Sequence, residues 1–147
     1  MSPALRALIG LAALAAAGPA AATAEPPDAA FGQWLTADGM AHVAIAPCSD
    51  NPAHACGAVT WLKDPVGHPT RDINNPDAAL RQRPLVGVLV IREMTNQGPG
   101  RWVGGKIYDA ETGKTYDGKL KALSANRLQV TGCVLMVCQD RTWTRVD

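Results

Sequence analysis

From Phe31 on, apolar and polar side chains alternate with a period of two, in short runs broken by turn residues. That pattern confines the chain to β architectures. Residues 114–123 are the clearest run: Tyr116, Gly118, Leu120 and Ala122 point one way, and Thr115, Asp117, Lys119 and Lys121 the other. Arg127, Gln129 and Thr131 alternate likewise with Leu128, Val130 and Gly132. Between the runs 101–109 and 114–123, Ala110-Glu111-Thr112-Gly113 reads as a hairpin loop whose glycine takes the left-handed position. Further strands are predicted over residues 32–36, 40–46, 57–63, 84–91 and 141–146, with turns at 96–100 and 124–126. So many short strands with frequent turns imply an all-β fold, a small antiparallel barrel of about eight to ten strands or a sandwich.

Residues 64–83 interrupt the alternation. Pro65, Gly67, Pro69, Asn74, Asn75 and Pro76 exclude a strand there. Asn75 as N-cap, Pro76 at the first helical position and Asp77 in the first turn predict one short helix ending near Gln82. Asp77 and Arg81 would then pair across one turn. A structured loop of this length in a compact β domain is a lid or a functional surface.

The start of the chain has the form of an export signal. Residues 7–18 are almost continuously apolar, Arg6 precedes them, and Ala22-Thr23-Ala24 offers small residues at a cleavage site before Glu25. The apolar stretch falls short of the roughly 20 residues of a membrane span. Residues 1–24 are therefore read as a signal peptide, 25–30 as a flexible leader and 31–147 as a single barrel domain, periplasmic or secreted. All four cysteines lie in the exported part, which favours disulfides. Short loops close at least entropic cost, so Cys48 with Cys56 and Cys133 with Cys138 are the preferred pairs. A zinc site fits less well, because seven residues separate the first pair and four the second. The formal net charge is +1, and loss of Arg6 would bring acids and bases into balance. Nothing global points to nucleic acid.

Gly100-Arg101-Trp102-Val103-Gly104-Gly105-Lys106-Ile107 matches a phosphate-binding loop until Ile107, which stands where a magnesium-binding hydroxyl belongs. The segment also alternates as a strand, so its glycines are read as allowing a bend or a close approach. Asp64, Asp72, Asn74, Asn75 and Asp77 could gather around calcium, but their spacing is wrong and turn capping explains them. His42, His54 and His68 show no metal-ligand spacing. No nucleophile elbow, metalloprotease helix or spare cysteine is present, so no enzyme, catalytic residue, metal or cofactor is expected.

The ligand-binding candidates are Arg81, Arg83, Trp61, Trp102, Lys106 and Tyr108. The two arginines flank the end of the short helix, where guanidinium forks could take an anionic group at a barrel mouth, or else pair with loop carboxylates. The tryptophans are read as core first and pocket wall second. Val134-Leu135-Met136-Val137, between two cysteines, is apolar where a hairpin tip is normally polar. It is expected to fold over the barrel end as core, or to meet a ligand or an envelope protein.

Gly32-Gln33-Trp34 at the first strand and Thr142-Trp143-Thr144-Arg145-Val146 at the last resemble the signature of lipocalins and fatty-acid-binding proteins, the calycin barrels. The resemblance implies a lipocalin-like barrel in which Gly32, Trp34 and Arg145 are structural, the arginine packing over the indole to close one end. A longer resemblance runs from about Phe31 to Val146, to domain-of-unknown-function family 2147, small exported bacterial proteins. It is carried by Gly32-Gln33-Trp34-Leu35-Thr36, Cys56-Gly57, Val59-Thr60-Trp61-Leu62-Lys63, Asn75-Pro76-Asp77, the stretch 80–87, Trp102 to Asp109, Gly113-Lys114-Thr115-Tyr116 and Thr142-Trp143-Thr144-Arg145. It brings no catalytic residues. The expected function is a non-enzymatic binding module holding a small, partly apolar ligand with an anionic head group. The alternative is a filled barrel serving as an envelope interaction or assembly module through its loops.

Overall fold

Each alternating run becomes one strand of an antiparallel meander: β1 (Gly32–Leu35), β2 (Ala41–Pro47), β3 (His54–Leu62), β4 (Leu89–Asn96), β5 (Arg101–Asp109), β6 (Lys114–Ser124), β7 (Arg127–Val134) and β8 (Val137–Arg145). Every strand pairs with its sequence neighbours, and β8 returns to β1 through Trp34 opposite Arg145 and Leu35 opposite Thr144. The result is a closed eight-stranded barrel, which removes the exposed sheet edges of an open meander. The computed structural model describes residues 10, 12–19, 27–63 and 66–147. The cleavage site before Glu25, Arg6 and Asp64 lie outside the described residues. Among the described residues, no helix is long and apolar enough to cross a membrane.

The apolar face of each strand turns inward. Trp34, Ile45, Ala55, Ile91, Met94, Trp102, Leu120 and Leu128 are buried together towards the end of the barrel where the chain enters. Two glycines permit this packing. A Cβ on Gly105 would run into the Arg92 carbonyl and the Met94 sulfur, so β4 and β5 approach closely there. The backbone of Gly32 has φ 124°, and a Cβ there would collide with Nη1 of Arg145. Within the 100–107 segment Gly105 thus serves strand approach, Gly104 takes φ 72° at a register shift of β5, and Ile107 packs against the core.

Four expectations need correction. The strand predicted over 84–91 begins only at Leu89, because Pro84 forms an isolated bridge with Arg71 and Gly87 turns with φ 98°. The predicted helix is a single 3-10 turn, Ala78–Leu80, and its cap is Asp77, whose side chain accepts from the Ala79 N–H. Asn75 instead folds back on Asp77 N–H and donates to Asp72, so it is held in the loop interior. The Asp77–Arg81 pair does not form, since a three-residue turn does not align positions four apart; Arg81 Nε donates to the Asn75 carbonyl at 2.7 Å. Finally, the leader is not loose from Asp28 on. Asp28 accepts from Ala30 N–H, Gly100 N–H and the Trp102 indole, and Ala30 is fully buried.

Both disulfides connect local pairs, Cys48–Cys56 and Cys133–Cys138. The second lies between opposite residues of β7 and β8, directly beneath the hairpin tip.

Candidate functional site

A meander alternates ends, so the connections after β1, β3, β5 and β7 all gather at one end of the barrel. The opposite end is shut. There the Arg145 guanidinium carbon sits 4.2 Å from the Trp34 ring centre, and Phe31 stacks on Trp102 at 5.4 Å. Above this floor a cavity of about 720 Å³ opens between the four connections. Its apolar wall includes Val43, Val59, Leu62, Val90, Ile107 and Val130, with Trp143 at its side.

One side of the interior is polar. Val130 and Leu128 face inward, and their direct partners across the β7–β8 ladder are Arg141 and Trp143; Gly132 is opposite Gln139. Directly opposed residues share a face, so Arg141 and Gln139 are presented to the cavity, and both line it. Gly132 leaves room for Tyr116, whose Cβ a methyl there would meet at 3.3 Å and whose ring at 3.5 Å. Tyr116, Gln139 and Arg141 therefore share one wall. Arg141 makes only long hydrogen bonds, 3.4 Å to Gln139 Oε1 and 3.5 Å to the Asp140 carbonyl. No carboxylate pairs with it among the described residues. A guanidinium with open donors beside an apolar wall is suited to a carboxylate, phosphate or sulfate group on a ligand.

Of the candidates named from sequence, Tyr108 borders this cavity as well as an outer groove, and the others fall elsewhere. Trp61 is 41% exposed on the outer wall, stacked on His42 at 4.3 Å. A register shift between His42 and Val43 accompanies that outward placement. Trp102 belongs to the closed end, donating to Asp28 at 3.0 Å. Lys106 faces outward and pairs with Asp117 across the β5–β6 ladder. Arg81 lies exposed on the loop and lines neither cavity nor groove.

Arg83 and Tyr108 do meet, but on the outside of the barrel under the long loop. Asp72, fully buried, accepts from Arg83 Nε at 2.8 Å, from Asn75 at 2.8 Å and from the Tyr108 hydroxyl at 2.5 Å. Burial pushes the Asp72 carboxyl up, and these three donors with the Arg83 charge outweigh it, holding the group below the usual carboxylate value. Burial first, then the hydrogen bond and charge of Asp72, push the Tyr108 phenol up to about 12. This network straps the 66–88 segment to β5, with Asn74 tying the same segment to the Ala110 and Glu111 carbonyls. Asp72, Asn74, Asn75 and Asp77 are thus engaged in turns and in this strap. A groove of about 670 Å³ remains between strap and barrel, with Arg83 and Arg92 along it.

The hairpin tip does not fold over the barrel. Val134 is 53% exposed, Leu135 92%, Met136 97% and Val137 73%, because a two-residue turn between paired strands is too short to bend back. Arg141, Gln139 and Tyr116 escaped the sequence reading, although a signal existed. Once Trp143 is placed inside, the period of two puts Arg141 and Gln139 inside with it.

The profile of a family of uncharacterized proteins conserved in bacteria, DUF2147, matches residues 32–145. The chain belongs to that family. A solved structure described as protein HP1028 of the human pathogen Helicobacter pylori, belonging to the lipocalin family, is similar in fold. Its TM-score is 0.68 at 22% identity, and the match covers 80% of this chain and 83% of that one. No curated protein matches. The DUF2147 barrel is accordingly lipocalin-like in architecture, and at this identity the likeness extends to fold alone.

Proposed function

We propose that this DUF2147 protein is a non-enzymatic binding module, periplasmic or secreted, for a small, partly apolar ligand carrying an anionic head group. The observation that carries the reading is Arg141, an exposed guanidinium that lines an open cavity of about 720 Å³ and has no carboxylate partner among the described residues. That volume lies within the range of small-molecule sites. The apolar tail would lie along Val43, Val59, Val90 and Ile107, and the head would take the open donors of Arg141, with Gln139 and Tyr116 beside it. Arg141 thereby assumes the part expected of Arg81 and Arg83. Two disulfides in so small a domain support an oxidising compartment. The alternative, a filled barrel acting only through its loops, fits poorly with an interior of this size.

The test is binding of a medium-chain carboxylate and of the alcohol of equal length, followed by displacement of an environment-sensitive fluorophore. Wild type should prefer the carboxylate by roughly 10- to 100-fold, the range of a charge-assisted hydrogen bond. Arg141→Gln should bind both alike. Equal affinity in wild type, or an unchanged preference in Arg141→Gln, would refute the head-group role.

A further inference from the structure

We propose that the hairpin tip Val134–Val137 is a lipid-surface anchor that sets the barrel mouth against a bilayer. Four consecutive apolar residues project into solvent there, the outer two half or more exposed and Leu135 and Met136 almost wholly so. The turn itself resists this composition. Leu135 has φ 53°, a left-handed backbone that favours glycine or asparagine and penalises a bulky side chain. An apolar residue is therefore kept at a position where a polar one would fold more easily. The Cys133–Cys138 bond joins the two strands immediately below, so the tip is presented as a stiff wedge. Val66, on the connection after β3, is a second apolar residue at the same end and is 82% exposed.

A lipid surface suits this tip better than a protein. A standard protein interface takes roughly 800 Å² from each partner, and a four-residue tip falls well short of that. Inserting a few apolar side chains into the boundary between head groups and acyl chains needs no such area. The tip is also continuous with the cavity: Val134 and Val137 line its rim, and Val130 and Trp143 carry the apolar surface inward on the same two strands. Acidic and basic groups both line the cavity, Asp38, Asp109 and Glu111 together with Lys63 and Arg141. Attachment would then depend on apolar insertion more than on lipid charge. Docking does not depend on what the cavity holds.

The test is co-sedimentation of residues 25–147, which contain all eight strands and the Asp28 contacts, with vesicles of phosphatidylcholine alone and of phosphatidylethanolamine with phosphatidylglycerol. Wild type should bind both within about threefold, and the Leu135→Ser, Met136→Ser double variant at least about tenfold more weakly. Leu135→Gly should melt at the same temperature or higher while binding vesicles less, which separates insertion from folding. Arg141→Gln should sediment with vesicles as wild type does, so loss of the head-group role and loss of docking are read independently. Failure of wild type to bind either vesicle, or equal binding by the double variant, would overturn the anchor.

Discussion

Arg145 covers the Trp34 ring at 4.2 Å while its three nitrogens reach the carbonyls of Ala125, Phe31 and Ala29 at 2.6, 2.9 and 2.9 Å. One side chain on the last strand thus ties the entering chain, the β6–β7 turn and the first strand together. Planarity of the guanidinium makes this fan of bonds available, and an ammonium cannot reproduce it. Arg145→Ala should cost about 2–4 kcal/mol in unfolding free energy, the sum of a cation–π contact and lost carbonyl bonds. Arg145→Lys should recover less than half of it. Urea unfolding followed by tryptophan fluorescence measures both, and a loss under about 0.5 kcal/mol for Arg145→Ala would refute the closure role.

Gly32 should tolerate no side chain. A methyl there meets Arg145 Nη1, and φ 124° is unfavourable for any L residue. Gly32→Ala should therefore destabilise by about 1–3 kcal/mol. Combining it with Arg145→Ala should give less than the sum, because the collision disappears with the arginine. Strict additivity in the double-mutant cycle would place the cost in the backbone alone.

The buried Asp72 network predicts the response to pH. The folded carboxyls of Asp72 and Asp28 titrate below their unfolded values. They contribute stability that is fully present above the unfolded value of about 3.9 and lost as pH falls through the folded ones. For Tyr108 the sign reverses: its folded value is raised to about 12, so its contribution is complete below about 10 and lost as pH climbs towards 12. Tyr108→Phe should cost about 1–3 kcal/mol at neutral pH, since Asp72 stays buried with one donor fewer. It should also remove the alkaline part of the dependence. Unfolding free energies across pH 2–6 and pH 9–12 would show whether both limbs slope as expected.

Side-chain alternation and turn residues made a small barrel or sandwich legible in the sequence, and the resemblance of Gly32-Gln33-Trp34 and Arg145 to the calycin signature implied the barrel. Run 101–109 coincides with β5, and run 114–123 with β6 to within a residue. Where those signals conflict, the reading failed. Residues 84–88 are apolar enough for a strand, yet Pro84 and Gly87 hold them in the strap. The polar residues lining the cavity were missed for a related reason. Arg81 and Arg83 stood out because they flank a helix signal, whereas Arg141 looked like the ordinary start of a strand. Which face a strand presents to a cavity depends on register with its neighbours, and that is long-range information. Tyr108 was named as a ligand contact, but its partner Asp72 lies far away in sequence and beneath a loop that has no periodicity to read.

The segment preceding β1 supplies the last prediction. Its short composition of Pro, Asp and Ala suggests a loose tail, but Asp28 is held by two backbone N–H groups and the Trp102 indole, at 2.9 to 3.0 Å. Burial pushes the Asp28 carboxyl up and these three donors together hold it below its ordinary value. The Ala30 carbonyl meanwhile accepts from the Trp34 indole at 2.9 Å. Two tryptophans at the closed end therefore depend on this short segment for their polar partners. Removing residues 25–30 from the chain that starts at Glu25 should cost about 2–4 kcal/mol, because a buried indole N–H without an acceptor carries a desolvation penalty at each site. Asp28→Asn should cost less, since the amide oxygen can still accept while the charge is lost. Urea denaturation of the chain starting at Phe31, beside the chain starting at Glu25, gives the difference directly. Equal midpoints would mean that the contacts of Asp28 and Ala30 add nothing and that the barrel closes on Arg145 alone.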